Sequence, residues 1–443
     1  MVSEGYIHGY NIRPQQRDPS DAIASPERSR KPSLAKDSGP SQTGPSTNMD
    51  HVLNTQTHSG TIHPACHKHC VPESGDTARL VATIYYNGPQ PRHLRVQSSQ
   101  AKPTVSLSEQ PLEQPPAEPE PLDHLSDSYL SQRCLTHFLS TVDSVLIQNS
   151  PEQRRLTSSH RCLSPDSSKP RVMEITFSLP PNPEHLPLSL VSKHDSISRF
   201  EREWNCEIVW QPCSVYRRHK RLCVFDMDST LIHQEVIDEI AAVIGVQKEV
   251  SAITERAMNG ELDFAASLKA RVALLKGVPS DVFERLKPQI RITAGAKELC
   301  KCLKRLGFTL AVLSGGFQPL ANWLAGELGL DHAFANHLIS DPSTQTLTGE
   351  LDPDYPIVDA QHKLNLLLDL AAESNIPLAQ TMAVGDGAND IPMLKKAGLG
   401  IAWRAKSKVQ MEAPARLNVG ESMLDLVYLL GLTKAEVDEL LTE

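Results

Sequence analysis

The residues that could carry out chemistry lie in three short loops, each of which directly follows an apolar run. The first loop holds two carboxylates two residues apart, Asp226 and Asp228. A carboxylate can attack phosphorus as a nucleophile, and a second acid can protonate the leaving oxygen and then activate water. Asp, Ser and Thr are also ordinary turn and helix-cap residues, so this loop alone does not decide between chemistry and a plain turn.

The second and third loops offer groups for a phosphate and for a metal ion. Ser314 and Gly315 supply a hydroxyl and backbone N–H groups ahead of an expected helix, which together can hold a phosphate. Asp386, Asn389 and Asp390 supply the hard oxygen ligands that suit Mg²⁺. Each of these loops, taken alone, is more typical of a plain turn.

Lys363 opens an expected helix between the second and third loops, where a lone lysine is usually a solvated side chain. The combination of the four features changes this interpretation. Phosphoryl transfer needs an in-line nucleophile, donors to the phosphoryl oxygens, a cation and a metal. The chain supplies these groups in that order, each beside a strand end or a helix start. The sequence therefore favours phosphoryl transfer.

The apolar runs predict an α/β fold with a doubly wound parallel sheet. The runs 222–225, 308–313, 381–384 and 399–403 are short, apolar throughout and separated by helical patterning. Strands buried on both faces that alternate with helices form such a sheet, and ligands bind beyond the carboxyl ends of its strands. Residues 232–290 repeat apolar positions at helical spacing, which predicts a helical cap inserted after the first core strand.

The first half of the chain predicts two further units before this domain, which spans 218–435. Residues 1–77 contain two tyrosines and no phenylalanine or tryptophan, so they predict a disordered arm. Residues 78–212 follow a β–α–β–α–β pattern and predict a small α+β module, similar to ferredoxin-like regulatory modules. The proline-rich stretch 89–125 predicts a flexible insertion within that module. A Cys/His cluster at 63–70 could bind zinc, but chance composition is the favoured explanation.

Composition excludes several classes of partner. The formal net charge is −9 and no basic patch is visible, which argues against nucleic-acid binding. No apolar stretch is long enough to span a bilayer, and the first residues do not follow the layout of a secretory signal. Nine scattered cysteines are typical of reduced thiols. We therefore expect a cytoplasmic protein without membrane partners.

The segment 218–435 resembles the haloacid-dehalogenase-like phosphotransferases, and in particular those members that act on O-phosphoserine. The resemblance covers about half of the chain and shows no departure at the motif positions. These motifs are Asp226-Met227-Asp228-Ser229-Thr230 with Glu235, the cap stretch from Met258 through Phe264 to Arg271, Ser314-Gly315-Gly316-Phe317, Lys363, and Gly385-Asp386-Gly387-Ala388-Asn389-Asp390.

The resemblance implies a role for each catalytic residue. Asp226 would be the nucleophile and Asp228 the general acid and base. Ser314 and the Gly315 N–H would hold the phosphoryl oxygens, and Lys363 would balance their charge.

The resemblance also implies Mg²⁺ as the cofactor. The metal ligands would be the Asp226 carboxylate, the Asp228 backbone carbonyl and Asp386. Asn389 and Asp390 would complete the surroundings of the metal and of the lysine, and Asn389 is also expected at the substrate.

The substrate implied by the resemblance is a small molecule, O-phosphoserine. Glu235 would face its ammonium group and Arg271 its carboxylate, while Met258 and Phe264 would close the cap over the serine portion. The expected reaction is Mg²⁺-dependent hydrolysis to serine and phosphate through an aspartyl-phosphate, as the last step of serine biosynthesis. The oligomeric state stays open, with a homodimer as one option.

Two alternatives stay open at this point. The first keeps the chemistry but takes another small phosphomonoester, and Arg271 discriminates because a substrate without a carboxylate would leave its guanidinium unpaired. The second is a catalytically silent regulatory protein that senses an amino acid. The intact Asp226, Asp228, Lys363 and Asp386 argue against it.

Overall fold

A computed structural model describes residues 79–88, 129–146, 156–179, 188–258, 261–420 and 422–442. The expected arm 1–77 and the expected insertion 89–125 lie outside the described residues. Within the described ranges, no helix is both long and apolar enough to cross a membrane.

The first unit is a four-stranded antiparallel sheet with helices on one face. Its strand order is β2-β3-β1-β4. Phe138 on the longest helix packs its ring against Phe177, Phe200 and Trp210, which form the centre of a separate apolar cluster. The elements are β1 Arg79–Tyr86, α1 Gln132–Leu146, β2 Thr157–Cys162, β3 Val172–Ser178, α2 Leu188–Val191, α3 Asp195–Glu203 and β4 Cys206–Pro212.

The expected small α+β module is confirmed, but the predicted series of strands and helices lacked one strand. The sequence predicted one strand between the two main helices, whereas the structure has two, β2 and β3. Strand β2 has the sequence Thr-Ser-Ser-His-Arg-Cys and lies at the sheet edge. A polar edge strand carries no apolar run or clean alternation, so the sequence pattern did not reveal it.

The second unit is a six-stranded parallel sheet with helices on both faces, which confirms the predicted fold class. Its order is β12-β11-β10-β5-β6-β7. Its elements outside the cap are α4 Val215–Arg218, β5 Leu222–Phe225, α9 Ala296–Arg305, β6 Thr309–Phe317, α10 Gln318–Leu328, β7 His332–Asn336, β8 Leu338–Asp341, β9 Thr346–Leu351, α11 Ala360–Glu373, β10 Thr381–Gly385, α12 Ile391–Lys396, β11 Leu399–Trp403, α13 Ser407–Glu412, β12 Ala415–Leu417, the 3₁₀ helix Met423–Leu430 and α14 Lys434–Thr442.

Alternate residues of each core strand enter different apolar clusters. Cys223 and Phe225 of β5 pack in the cluster that contains α9, α10 and the 3₁₀ helix. Leu222 and Val224 pack in the cluster that contains α11 and α12. All four side chains are fully buried, which explains why the strand is apolar throughout.

The expected helical cap lies between β5 and β6. It consists of α5 Val236–Ile244, α6 Gln247–Met258, α7 Phe264–Ala273 and α8 Val282–Leu286. The predicted hairpin at 338–351 is also present as β8 and β9. This hairpin contacts the cap through the backbone, because Gly277 N donates to Leu347 O and Leu347 N donates to Val278 O, both at 2.8 Å.

The free face of the four-stranded sheet packs against the second unit. Tyr85, Val172 and Val209 from this face join the same apolar cluster as Val427 and Leu430 of the 3₁₀ helix. The sheet is therefore covered on both faces, by its own helices and by the neighbouring unit.

Polar side chains on the same face pair with the second unit. Glu207 on β4 accepts hydrogen bonds from Asn418 N and Asn418 Nδ2 at 2.7 Å and from Val419 N at 3.1 Å. Arg416 pairs with both Glu207 and Glu201. Glu207 is buried, so these bonds replace the water that its carboxylate would otherwise bind.

Replacement of Glu207 by alanine should destabilise the protein, because it removes the acceptor of Asn418 N, Asn418 Nδ2 and the buried Val419 N. We expect the free energy of unfolding to fall by about 2–4 kcal/mol. Urea denaturation followed by tryptophan fluorescence measures this change. Arg199→Ala is the control, since this exposed charged residue on α3 of the same unit should change stability by less than about 0.5 kcal/mol. Equal effects of the two substitutions would contradict the interface.

Candidate active site

A tight turn after β5 presents the two predicted acids of the first loop. Asp226 ends the strand with its N–H donating to Val384 O, and its Oδ1 accepts from Met227 N at 2.7 Å. Ser229 has a φ of 56°, a left-handed conformation that is uncommon for a residue with a side chain. Such conformations cluster at functional sites, where the surrounding structure holds them in place.

Lys363 is completely buried and lies between two carboxylates. Its Nζ is 2.7 Å from Asp226 Oδ1 and 2.8 Å from Asp390 Oδ1. The two carboxylates raise the pKa of Lys363 against the effect of burial, so the lysine stays charged. The sequence predicted these residues near one another, and the structure brings them into direct contact.

Three carboxylates gather at the carboxyl ends of β5 and β10. Oxygen atoms of Asp226, Asp386 and Asp390 lie within 4.8 Å of one another. Burial and the neighbouring acids raise the pKa of Asp226 well above its usual range, and burial with Asp390 raises the pKa of Asp386 to about 6. A bound cation would stabilise the ionised forms of such a cluster, so these residues fit a metal site.

Asp228 has a different environment from Asp226. Its Oδ2 accepts a hydrogen bond from Val236 N at 3.1 Å, whereas its Oδ1 is buried without a partner among the described residues. Burial, with a smaller contribution from Glu235, raises the pKa of Asp228 to about 8. Burial thus favours the protonated form of this carboxyl group.

Ser314 and the two following glycines lie beside these acids. Ser314 is fully buried and its Oγ accepts from Gly316 N at 2.8 Å. A Cβ atom on Gly316 would lie 2.9 Å from Met227 Cε and 3.0 Å from Ser314 Oγ, so a side chain at this position would require these neighbours to shift. The sequence predicted that the strand stops at residue 313, but β6 continues to Phe317 through an irregularity in its pairing with β7.

The cap contributes the residues predicted to bind the substrate. A Cβ atom on Gly315 would lie 3.3 Å from Phe264 Cζ and 3.9 Å from Asn389 Nδ2, which places the cap and the third loop beside the phosphate loop. Arg271 is half-buried, and burial lowers its pKa while Asp238, Glu235 and Asp228 oppose the shift. The exposed Glu235 accepts from Ser229 Oγ at 2.9 Å.

The structure places the predicted site residues together at one site, with the exception of Met258. Met258 ends α6, and its side chain lies outside what the structure describes. The individual roles of the site residues stay predictions and are taken up in the proposal below.

Two residues at the site were not assigned a role from the sequence. Thr230 Oγ1 donates to Asp386 Oδ1 at 3.0 Å and thereby orients that carboxylate. Asn336 is buried at the end of β7, where its Nδ2 donates to Gly315 O at 2.9 Å and to Gly316 O at 3.3 Å. Its position after the apolar residues 333–335 was the available signal, because it marks another carboxyl end of a strand.

Comparison with known proteins agrees with this fold and geometry. Residues 220–398 match the model of the haloacid dehalogenase-like hydrolases. The chain is 45% identical over 247 residues to a probable phosphoserine phosphatase of Schizosaccharomyces pombe, covering 56% of this chain and 82% of that protein. It is 50% identical over 223 residues to a phosphoserine phosphatase of Saccharomyces cerevisiae, covering 50% of this chain and 71% of that protein.

A solved structure extends the likeness beyond the second unit. A HAD family hydrolase from Salmonella enterica subsp. enterica serovar Typhi superposes with a TM-score of 0.56 at 25% identity, covering 80% of this chain and 98% of that chain. The chain therefore belongs to the haloacid dehalogenase-like hydrolases, and it is an enzyme. Within that family, the two yeast relatives to which it is similar both carry the name phosphoserine phosphatase.

Replacement of Asn336 by alanine should loosen the phosphate loop, because it removes the donor to the Gly315 and Gly316 carbonyls and the acceptor for Val358 N. We expect amide hydrogen exchange in a peptide spanning 313–318 to become at least about tenfold faster, as expected for the loss of about 1.4 kcal/mol of local stability. Asn365→Ala, which removes an exposed asparagine of α11 whose side chain pairs with Gln361 of the same helix, is the control and should leave this peptide unchanged. Unchanged exchange in Asn336→Ala would show that Asn336 does not hold the loop.

Proposed function

We propose that this chain hydrolyses O-phosphoserine to serine and phosphate with Mg²⁺ as its cofactor. The observation that carries the chemistry is the contrast between two neighbouring aspartates. Asp226 is in direct contact with the buried ammonium of Lys363, which favours its ionised form, whereas Asp228 has no cation in contact and a buried oxygen without a partner among the described residues. One residue is thus suited to act as a nucleophile and the other as an acid. The names of the yeast relatives support the substrate.

The charge balance of the site supports a divalent cation. Lys363 supplies one positive charge against the carboxylates of Asp226, Asp386 and Asp390. With all three carboxylates ionised, two negative charges remain unbalanced, and this excess would match Mg²⁺, which binds few carboxylates together with phosphate oxygens and water. The ion would be held by Asp226, Asp386 and the Asp228 carbonyl, and when bound it would neutralise charge on the phosphoryl group.

In the first half-reaction, Asp226 attacks phosphorus. Its Oδ1 is held by Met227 N and by Lys363, which leaves Oδ2 as the oxygen that forms the new bond. The bond between phosphorus and the serine oxygen breaks, and Asp228 gives its proton to that oxygen. Serine leaves, and the phosphoryl group stays on Asp226 as an aspartyl-phosphate.

In the second half-reaction, water attacks the phosphorus of the aspartyl-phosphate. Asp228, now ionised, takes a proton from this water, and the bond to Asp226 breaks to release phosphate. Lys363, Ser314 and the N–H of Gly315 interact with the phosphoryl oxygens in both steps, because Lys363 contacts Asp226 and the segment 314–316 lies beside Asp228.

The cap determines which phosphate ester is bound. Arg271 offers two parallel donors that match a carboxylate, and Glu235 offers an acceptor for an ammonium group. Both lie close enough to Asp228 for their charges to interact, since Glu235 raises the pKa of Asp228 and Asp228 opposes the lowering of the pKa of Arg271. A zwitterionic head therefore finds one partner of each sign beside the acid that protonates its oxygen.

The proposal extends to the last step of serine biosynthesis in the cytoplasm. Hydrolysis of phosphoserine releases free serine, which is the product of such a step. Seven cysteines in the described part of the chain are all free. Free thiols are typical of a reducing compartment.

Replacement of Asp226 by asparagine should abolish turnover, because an amide cannot attack phosphorus. We expect phosphate release to fall by at least about a thousandfold while the protein stays folded, as judged by circular dichroism. The exposed Asp354 offers a matched control, since Asp354→Asn should keep wild-type activity. Substantial turnover by Asp226→Asn would rule out the nucleophile assignment.

Removal of divalent metal should remove activity, because the clustered carboxylates would repel the phosphate without a cation. We expect chelation to stop phosphate release from phosphoserine and added Mg²⁺ to restore it. Ca²⁺ should inhibit, since it is larger and prefers more oxygen ligands than Mg²⁺. Full activity in excess chelator would refute the metal site.

Replacement of Arg271 by alanine should lower activity towards phosphoserine more than activity towards a phosphate ester without a carboxylate. We expect kcat/KM for phosphoserine to fall by a cost of about 2–4 kcal/mol, because a charge-assisted pair with the carboxylate is lost. The effect on phosphoethanolamine, which has no carboxylate, should be much smaller. The experiment compares kcat/KM for both substrates in wild type and variant, which also separates this proposal from a phosphatase of another ester.

Two further variants serve as controls for the comparison of kcat/KM between phosphoserine and phosphoethanolamine. Arg256→Ala removes an exposed arginine of the cap and should change neither substrate. Lys363→Ala should reduce turnover of both substrates, since Lys363 interacts with the phosphoryl group that they share. If Arg271→Ala lowers both substrates equally, Arg271 does not recognise the carboxylate and phosphoserine is not the preferred substrate.

A further inference from the structure

A second cavity lies at the opposite edge of the parallel sheet from the candidate active site. Lys220 and Arg221 line it directly before β5, Gln380 lines it directly before β10, and Gly307 lies just before β6. The cavity has a volume of about 790 Å³, which is within the range of small-molecule sites. The proposed phosphatase reaction uses none of these residues.

Lys220 in this cavity is a buried cation without a balancing carboxylate. The residue is 5% exposed, and its Nζ donates to the backbone carbonyl of Ala379 at 2.7 Å. None of the ion pairs within the described ranges includes Lys220. Burial alone lowers its pKa to about 8, with no contribution from a nearby charge. A buried charge normally has a partner of opposite sign, and here the described structure supplies only one carbonyl oxygen.

The other charges of the cavity do not balance Lys220. Arg218 pairs with Glu436, which also accepts from Thr433 N and is therefore committed to its own helix. Arg221 and Glu439 are exposed and of opposite sign, so solvent screens them and their charges cancel. The buried part of the cavity thus keeps one net positive charge, at Lys220.

Part of the wall of the cavity is apolar. Leu306, Leu430, Leu432 and Leu440 line it, and Leu306, which is 36% exposed, offers apolar surface that a ligand could cover. An occupant that satisfied both parts of the lining would have an anionic group for Lys220 and a hydrocarbon portion for the leucines.

We propose that this cavity is a binding site for a small organic anion, a carboxylate with a short apolar body, with Lys220 as the residue that binds the carboxylate. The buried ammonium keeps donors beyond the one used by Ala379, and a carboxylate accepts such donors in a charge-assisted bond. The leucines then cover the hydrocarbon portion of the ligand.

Octanoate is a suitable probe, and isothermal titration calorimetry of the full-length protein measures its binding. We expect Lys220→Met, which keeps the length and apolar stem of the side chain, to weaken octanoate binding at least about tenfold. Lys301→Met is the matched control, because Lys301 also donates to a backbone carbonyl but is exposed and lies outside the cavity. This control should bind octanoate as the wild type does.

Two comparisons of ligands test the two parts of the site. Octanol lacks the charge and acetate lacks the hydrocarbon chain, so both should bind at least about tenfold more weakly than octanoate. Octanoate should also shift the methyl NMR signals of Leu306, Leu430 and Leu440 in the wild-type protein, which tests the site even if Lys220→Met fails to fold. Absence of binding to the wild type, equal binding by Lys220→Met, or equal binding of acetate and octanoate would each overturn the proposal.

Discussion

The buried ion pairs of Lys363 are the interaction on which the candidate active site depends. The side chain of Lys363 is inaccessible to solvent and lies within 2.8 Å of carboxylate oxygens of both Asp226 and Asp390. Through these contacts one ammonium group links the end of β5, the first turn of α11 and the short 3₁₀ helix Ala388–Asp390, which precedes α12. Asp359 caps the same helix by accepting from His362 N at 2.8 Å, which fixes where α11 begins. A buried ammonium without these two partners would be strongly unfavourable, so the three segments must meet.

The parts of the fold that the sequence predicted are those with two buried faces. Strands such as β5 and β10 are apolar at every position because helices cover both sides of the sheet, and the polar loops after them were visible by contrast. The roles proposed for Glu235 and Arg271 rest on the resemblance to a known family, because a single charged residue carries no local signal in the sequence. Asn336 was not found because its function depends on two backbone carbonyls that are distant in sequence.

The contact between the two units was not predicted, for a physical reason. Thr83, Glu174, Glu207 and Gln211 alternate with apolar residues along their strands and are typical of a solvent-facing side of a sheet. All of them are buried, because this side packs on the neighbouring unit. Gln211 Nε2, for example, donates to Leu429 O at 3.0 Å. Alternation shows that a sheet has two different faces, but it does not show whether water or another protein segment covers the polar one.

The backbone contacts between the cap and the hairpin β8–β9 limit how the cap can move. Three hydrogen bonds, from Gly277 N, Leu347 N and Ser280 N, join the segment after α7 to the hairpin, and Gly349 lies so close that a Cβ atom there would be 2.9 Å from Lys276 Cβ. The cap is thus anchored to the core on this side in addition to its covalent connections. Any displacement of the cap relative to the core must therefore either carry the hairpin β8–β9 with it or break these three hydrogen bonds.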